Sequence, residues 1–286
     1  MHKLKTFMEM IKFEHTIFAL PFAYLGAFLA ARGLPSAGKL LWITLAMVGA
    51  RTAAMSLNRL IDRQLDARNP RTAARALPQG LLSVREVYVY VVLSFLLLAF
   101  AAYRLNLLAL ELMPIAVFFL VFYSYTKRFT WACHFFLGIS LGLAPAGAWI
   151  GVTGHWALPP VLLALAVAAW VAGFDIVYAC QDVEFDRQEG LYSIPAVFGL
   201  TRGLEISVLL HVLAPVLFLA VGIVAMMNVL YFLGLVIAVL LLYRQHRLVS
   251  AQDLSRVGIA FFNLNGYLSV TLFVFGVADL ILLRRG

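Results

Sequence analysis

Charge is scarce in this chain: only 13% of its 286 residues are Asp, Glu, Lys or Arg. A soluble domain carries about a quarter, so the shortage excludes an ordinary water-soluble fold. The mean hydropathy of +0.93 says the same. There are two cysteines, Cys133 and Cys180, too few for a disulfide framework and without zinc-ligand spacing. No polar or Pro/Gly-rich linker divides the sequence, so residues 1–286 form a single membrane domain. The first fifteen residues have no cleavage site and are broken by Glu9, Lys12 and Glu14, which excludes a signal peptide. With Phe7, Met8, Met10, Ile11 and Phe13 beside Lys3, Lys5 and Lys12, residues 1–15 make an interfacial lead helix.

What the chain has is long apolar runs. A transmembrane helix needs about 20 mostly apolar residues. Nine segments qualify: 16–32, 39–57, 84–103, 107–125, 134–152, 158–180, 203–222, 224–243 and 258–282. The break between the seventh and eighth is only Met226-Met227-Asn228. With the amino terminus in the cytoplasm, 17 of the 22 Lys and Arg face inward, as the positive-inside rule requires. The net charge of +8 therefore reflects topology and anionic lipid headgroups, not nucleic acid.

Only seven aspartates occur, and five fall in two clusters. The first is Asn58-Arg59-Leu60-Ile61-Asp62-Arg63-Gln64-Leu65-Asp66. On a helix, Asn58, Asp62 and Asp66 stack along one face. Like charges four apart repel, so a cation must sit between them. The second cluster places Asp175, Tyr178, Asp182 and Asp186 at spacings of three, four and four. Four spans separate the clusters, giving both the same orientation, as in a parallel repeat. Hard divalent cations with oxygen ligands resolve such repulsion, and Mg²⁺ commonly shares its shell with a substrate's phosphates. Two acidic helix ends clamping a diphosphate through Mg²⁺ is the chemistry these residues point to.

Asn58-Arg59-x-x-Asp62-x-x-x-Asp66 and Asp182-x-x-x-Asp186 resemble the paired signatures of the UbiA superfamily of intramembrane aromatic prenyltransferases. The resemblance extends through Pro70-Arg71-Thr72-x-x-Arg75-x-Leu77-Pro78-x-Gly80, Tyr123-x-x-x-Lys127 and Gly190-x-x-Ser193. It implies an all-α membrane fold of about nine transmembrane helices around a central cavity, capped by cytoplasmic loops. It also implies Mg²⁺ ligation by Asn58, Asp62, Asp66, Asp182 and Asp186. The implied reaction moves a polyprenyl group from its allylic diphosphate to a ring carbon of an aromatic acid, in quinone biosynthesis. The family's first motif often carries Asp after the Asn; Arg59 removes that ligand.

The remaining polar residues fit around this reaction. Arg71, Arg75, Lys127, Arg128 and Tyr178 are placed to grip the diphosphate. Arg51 lies two turns before Asn58, inside a span, where a charge is costly and functional by default. It suits the carboxylate of a 4-hydroxybenzoate-type acceptor, or pairs with Asp175. Asp175 is a candidate for orienting the acceptor or taking the ring proton. Tyr123 and Glu14 are acceptor-side candidates; the Glu14 segment looks like the bacterial 4-hydroxybenzoate or menaquinone-pathway branch. Glu111 and Asp279 lie near outer span ends and are expected to snorkel, while His134 and His211 have no partner at metal spacing and are expected to be packed or interfacial. Prenylation of 1,4-dihydroxy-6-naphthoate is an alternative within the class. A secondary transporter using the acids and the repeat is the alternative from another. A bacterial inner or plasma membrane, with the site facing the cytoplasm, is the expected location.

Overall fold

In the computed structural model the described residues are 2–12 and 18–283, with the side chains of His2 and Leu4 left aside. Glu14 and Phe13 lie outside them. A short helix, α1 (His2–Met10), precedes nine apolar helical segments. These are α2 (Leu20–Ala31), α3 (Ala37–Arg68), α4 (Val84–Leu105), α5 (Leu107–Thr126), α6 (Cys133–Thr153), α7 (Leu158–Ala179), α10 (Leu200–Val224), α11 (Val229–Leu248) and α12 (Asn265–Ala278). Two short helices, α8 (Val183–Gln188) and α9 (Ile194–Phe198), lie between α7 and α10. Eight segments are long and apolar enough to cross a membrane, and α2 is a shorter apolar helix of 12 residues. The nine expected spans thus correspond one to one with nine helices.

Two boundaries differ from the sequence-based expectation. The second span does not stop at residue 57: α3 runs on unbroken through the first acidic motif for 32 residues, about 48 Å. The eighth span begins at Val229 and not at 224, after a turn at the expected Met226-Met227-Asn228 break in which Met226 adopts a left-handed conformation (φ 53°). That turn is held from across the bundle. The buried Asp279 carboxylate accepts from the backbone N–H groups of Asn228 (2.7 Å), Leu230 (3.1 Å) and Tyr231 (3.3 Å). Asp279 therefore does not snorkel. It caps the amino terminus of α11, satisfying donors that the helix cannot satisfy itself. Asp279→Ala leaves those buried donors unpaired and is expected to destabilise the protein by about 2–4 kcal/mol. Thermal unfolding in detergent, with Asp279→Asn falling between the two, checks it.

The helices divide into a solid half and a hollow half. In the solid half α2, α6, α7, α10, α11 and α12 pack around Phe22, Trp170, Phe218, Tyr231 and Leu268, all essentially without solvent exposure. The hollow half is formed by α3, α4, α5 and one face of α6 around a cavity of about 280 Å³. It extends along α3 from Ile43 to Met55, about 18 Å of helix rise. Among the twenty residues of α5 only Ser124 and Thr126 are buried, so this helix is a thin wall between the cavity and the lipid. At the end away from the acidic motifs, Lys39 Nζ donates to the carbonyls of Leu105 (2.8 Å) and Gly151 (2.7 Å), tying the ends of α4 and α6 together.

The contact between α6 and α7 sets the register of the second motif. A Cβ on Gly138 or Gly142 would lie 2.4 Å from the carbonyl oxygen of Ala168 or Ala164. Small residues four apart on both helices permit this approach, the usual device for packing helices in lipid. One more step along the seam brings His134 against Asp175, with Nδ1 and Oδ2 2.7 Å apart.

Candidate functional site

Continuous helix through residues 37–68 puts Asn58, Asp62 and Asp66 on one face, as the four-residue spacing predicts. Asp62 and Asp66 are both buried, and each meets the cation that like-charge stacking demands. Lys127 and Arg128, from the turn after α5, grasp the two oxygens of Asp62 at 2.5 and 2.8 Å. Arg128 also donates to the carbonyls of Ser124 and Ile61, which fixes its guanidinium across the helix ends. Arg75 donates to Asp66 Oδ1 at 2.7 Å. The second oxygen, Asp66 Oδ2, is buried without a hydrogen-bond partner.

The second motif is not one helix. α7 stops at Ala179, a tight turn of 3₁₀ type carries Cys180–Asp182, and α8 carries Asp186. Asp182 faces the loop after α3. Arg71 forks onto its carboxylate, Nε to Oδ1 at 2.8 Å and Nη2 to Oδ2, while Nη1 donates to the Tyr178 hydroxyl at 2.8 Å. Burial opposes the Arg71 charge, but Asp182 and Tyr178 outweigh it and raise its pKa above the ordinary guanidinium value. Arg71 stays charged at any pH the protein meets. Asp186 accepts instead from Ser193 Oγ (2.8 Å), which also caps α9.

The loops thus cross-connect the two motifs: the segment after the first reaches the second, and the turn after α5 reaches the first. Asn69 completes this, a residue that sequence reasoning missed. Its Oδ1 accepts from the Arg71 backbone N–H (2.9 Å) and its Nδ2 donates to Asp182 Oδ1 (3.0 Å). The Asn69-Pro70 pair, a turn-initiating dipeptide, was its available signal.

The two histidines expected to be packed or interfacial are buried, and each has a side-chain partner. His134 is buried, pairs with Asp175, and accepts the Ile194 N–H at Nε2 (3.2 Å), so Nδ1 carries the proton toward Asp175. Asp175 therefore pairs with His134 and not with Arg51. The signal was the face His134, Gly138, Gly142, in steps of four. His211 bonds His246 (2.8 Å) and the Trp170 carbonyl (3.0 Å) in the solid half, away from the acidic motifs.

Arg51 and Tyr123 line the cavity at its acidic end. Arg51 donates to the Lys12 carbonyl (2.9 Å), and the Tyr123 hydroxyl reaches the Ala54 carbonyl (3.4 Å). Ala54 and Met55 line the same end and lie one turn from Asn58. The apolar cavity therefore opens beside the acidic face of α3. Glu14, the other acceptor-side candidate, falls outside the described residues. Arg59 is buried, with Nη1 donating to Asn58 Oδ1 (3.1 Å).

Asn58 and the four aspartates offer hard oxygen donors of the kind Mg²⁺ takes. Among the described residues, no three His, Cys, Asp or Glu side chains converge closely enough to hold an ion. Basic partners occupy the interval instead. Asp66 Oδ2, buried without a hydrogen-bond partner, is a hard oxygen donor of the kind a divalent cation takes.

Comparison with known proteins bears on the family and the fold. The UbiA prenyltransferase family model matches residues 19–267. A 4-hydroxybenzoate octaprenyltransferase from Nitrosospira multiformis is 31% identical over 254 residues, covering 89% of this chain and 87% of the relative. The apo structure of a UbiA homologue from Aeropyrum pernix superposes with a TM-score of 0.86 at 33% identity, over 94% of this chain and 98% of that one. An Archaeoglobus fulgidus homologue bound to DMAPP and Mg²⁺ shares the fold, with a TM-score of 0.67 at 19% identity, over 93% and 99% of the two chains.

Proposed function

From a chain that belongs to the UbiA prenyltransferase family, we propose an enzyme that transfers a polyprenyl group from its diphosphate to a ring carbon of a 4-hydroxybenzoate-type acid. The observation that carries this is the junction of two environments. A cavity that runs about 18 Å along α3 and is almost wholly apolar ends beside a network of three carboxylates, Asp62, Asp66 and Asp182, and four bases. A diphosphate with a long hydrocarbon tail has that same division of character.

Asn58, Asp62, Asp66, Asp182 and Asp186 would hold the divalent cation, which when bound neutralises charge on the departing diphosphate. Arg71, Arg75, Lys127 and Arg128 already stand among these carboxylates and are the donors within reach of diphosphate oxygens. Tyr178 orients Arg71. The apolar walls keep water from the allylic cation while the ring approaches. Arg51, at the rim between the tail cavity and the acids, takes the acceptor's carboxylate. Asp175, partly exposed and steadied by His134, is positioned to accept the proton that the ring releases. The site faces the cytoplasm on the positive-inside argument.

The test is product formation from a long-chain allylic diphosphate, Mg²⁺ and competing acceptors, 4-hydroxybenzoate and 1,4-dihydroxy-6-naphthoate, read by mass spectrometry. Prenylated 4-hydroxybenzoate that vanishes with EDTA is the expected result. Diphosphate release with neither acid prenylated would overturn the acceptor assignment. Arg51→Ala is expected to raise the acceptor KM by about 10²-fold, the scale of a lost charged hydrogen-bond pair, with little change in the diphosphate KM.

A further inference from the structure

We propose that His134 is a positioning residue that bridges the two ends of the reaction: it aims Asp175, the proton acceptor, and anchors a strap of residues 192–194 that seats Asp186, a cation ligand. The proposal rests on the roles given above to Asp175 and Asp186.

The strap begins just past α8. Gly190 takes a left-handed conformation (φ 66°), which glycine adopts without steric cost, and lets the chain turn out of the helix. Three consecutive residues then reach three different groups. The Tyr192 backbone N–H donates to the Lys127 carbonyl at 2.7 Å. Ser193 Oγ donates to Asp186 Oδ2 at 2.8 Å. The Ile194 N–H donates to His134 Nε2 at 3.2 Å. Ser193, Ile194 and His134 are all buried, so water does not compete for these bonds.

The last bond decides the state of the imidazole. Because Nε2 accepts, it carries no proton, and the ring is the neutral tautomer whose Nδ1–H donates to Asp175. A neutral donor fixes the carboxylate and leaves it the charge that a proton acceptor needs. Asp175 keeps 24% of its side chain exposed, so it is both held and accessible. In the step it serves, the allylic carbon–oxygen bond breaks with its electrons passing to the diphosphate, and a ring carbon bonds the prenyl carbon. The C–H pair at that ring carbon then restores aromaticity while its proton goes to an Asp175 oxygen, and from there to water. His134 takes no proton in this step. It sets where the carboxylate stands, and the strap sets His134.

Two readouts test the bridge. The isotope effect on turnover of ring-deuterated 4-hydroxybenzoate reports proton removal. Binding of Mn²⁺, a probe for the Mg²⁺ ligands, is followed by electron paramagnetic resonance and needs no turnover. His134→Leu is expected to move both: turnover falls about 10²-fold, the scale of a misplaced group, and a primary isotope effect absent from wild type emerges. Its Mn²⁺ affinity falls about tenfold, the scale of a lost bond behind a metal ligand. Asp175→Asn should show the isotope effect alone, and Ser193→Ala the weaker Mn²⁺ binding alone. His134→Gln offers one donor and one acceptor but cannot take a proton, and should restore both readouts. Movement of only one readout in folded His134→Leu overturns the bridge, and a Gln variant as impaired as Leu makes the ring a proton carrier instead. Should His134→Leu not fold, His134→Asn replaces it. Its amide keeps a donor for Asp175 but is too short for Ile194, so only Mn²⁺ binding should weaken, and unchanged binding overturns the bridge. Asp175→Asn without an isotope effect sinks the role of Asp175 itself; an effect there but none in His134→Leu sinks the bridge alone.

Discussion

Replacing Asp62 or Asp182 with Asn is expected to lower turnover by about 10³-fold or more while the protein still inserts and folds. The magnitude follows from what is removed. Stabilisation of charge on a leaving group in a water-poor site is worth about 10²–10³ in rate per donor, and each aspartate also organises bases. Asp62 holds both Lys127 and Arg128, and Asp182 holds Arg71 and Asn69. Asn is nearly isosteric, so packing survives, but a cation loses its anionic ligand and the bases lose their partner. Product yield per folded protein, monitored by mass spectrometry and size exclusion, checks it. Full activity in both variants would remove the proposed mechanism. Asp66→Asn is expected to behave similarly, with the added sign that its buried, partnerless oxygen no longer attracts a cation.

The second large effect concerns the hydrocarbon tail. Ala46 lines the cavity five residues, about 7.5 Å, beyond Arg51. Ala46→Phe fills that volume without reaching any acidic or basic residue. Turnover with a long-chain polyprenyl diphosphate is expected to fall by at least about tenfold, the scale on which apolar pockets discriminate size. Geranyl diphosphate, whose tail ends sooner, should be used nearly as well as before. Ala116→Phe, entering from α5, should do the same, and equal loss with both donors would show that the tail does not occupy this space. Since overpacking alone costs stability, unfolding temperatures must accompany the kinetics.

The distribution of hits and misses in the sequence has a physical cause. Spans were legible because lipid imposes a length and a hydropathy on each segment by itself. The first acidic face was legible because α3 is one uninterrupted helix, so spacing translates directly into direction. The second motif was half legible: its residues gather as expected, but the tight turn at Cys180–Asp182 redirects Asp186, and no Gly or Pro announces it. The Met226 turn falls at the Met226-Met227-Asn228 break that the sequence shows, although no glycine marks its left-handed residue. Long-range pairs lay beyond the sequence altogether. The partners of Asp279 are backbone N–H groups some fifty residues away, and Asp175 and His134 meet only because α6 and α7 cross at the Gly138 and Gly142 seam. Arg51 stands out in the sequence as a costly charge inside a span, yet one acceptor it meets is a main-chain oxygen, which no residue type advertises.

The Lys39 clasp has a consequence for the cell that houses this protein. A hollow reaching most of the way through a bilayer is a hazard to any membrane that stores energy as an ion gradient, because only a short further gap would complete a conduit. At the end away from the acids, Lys39 spends its donors on the ends of α4 and α6, and Asn106 adds bonds to the carbonyls of Ile150 (2.7 Å) and Gly151 (3.1 Å) beside it. The passage is thereby stoppered at one mouth by fixed polar bonds. On the proposed reading of the cavity as a site for a lipid tail, these bonds are what would keep that depth from becoming a path for protons.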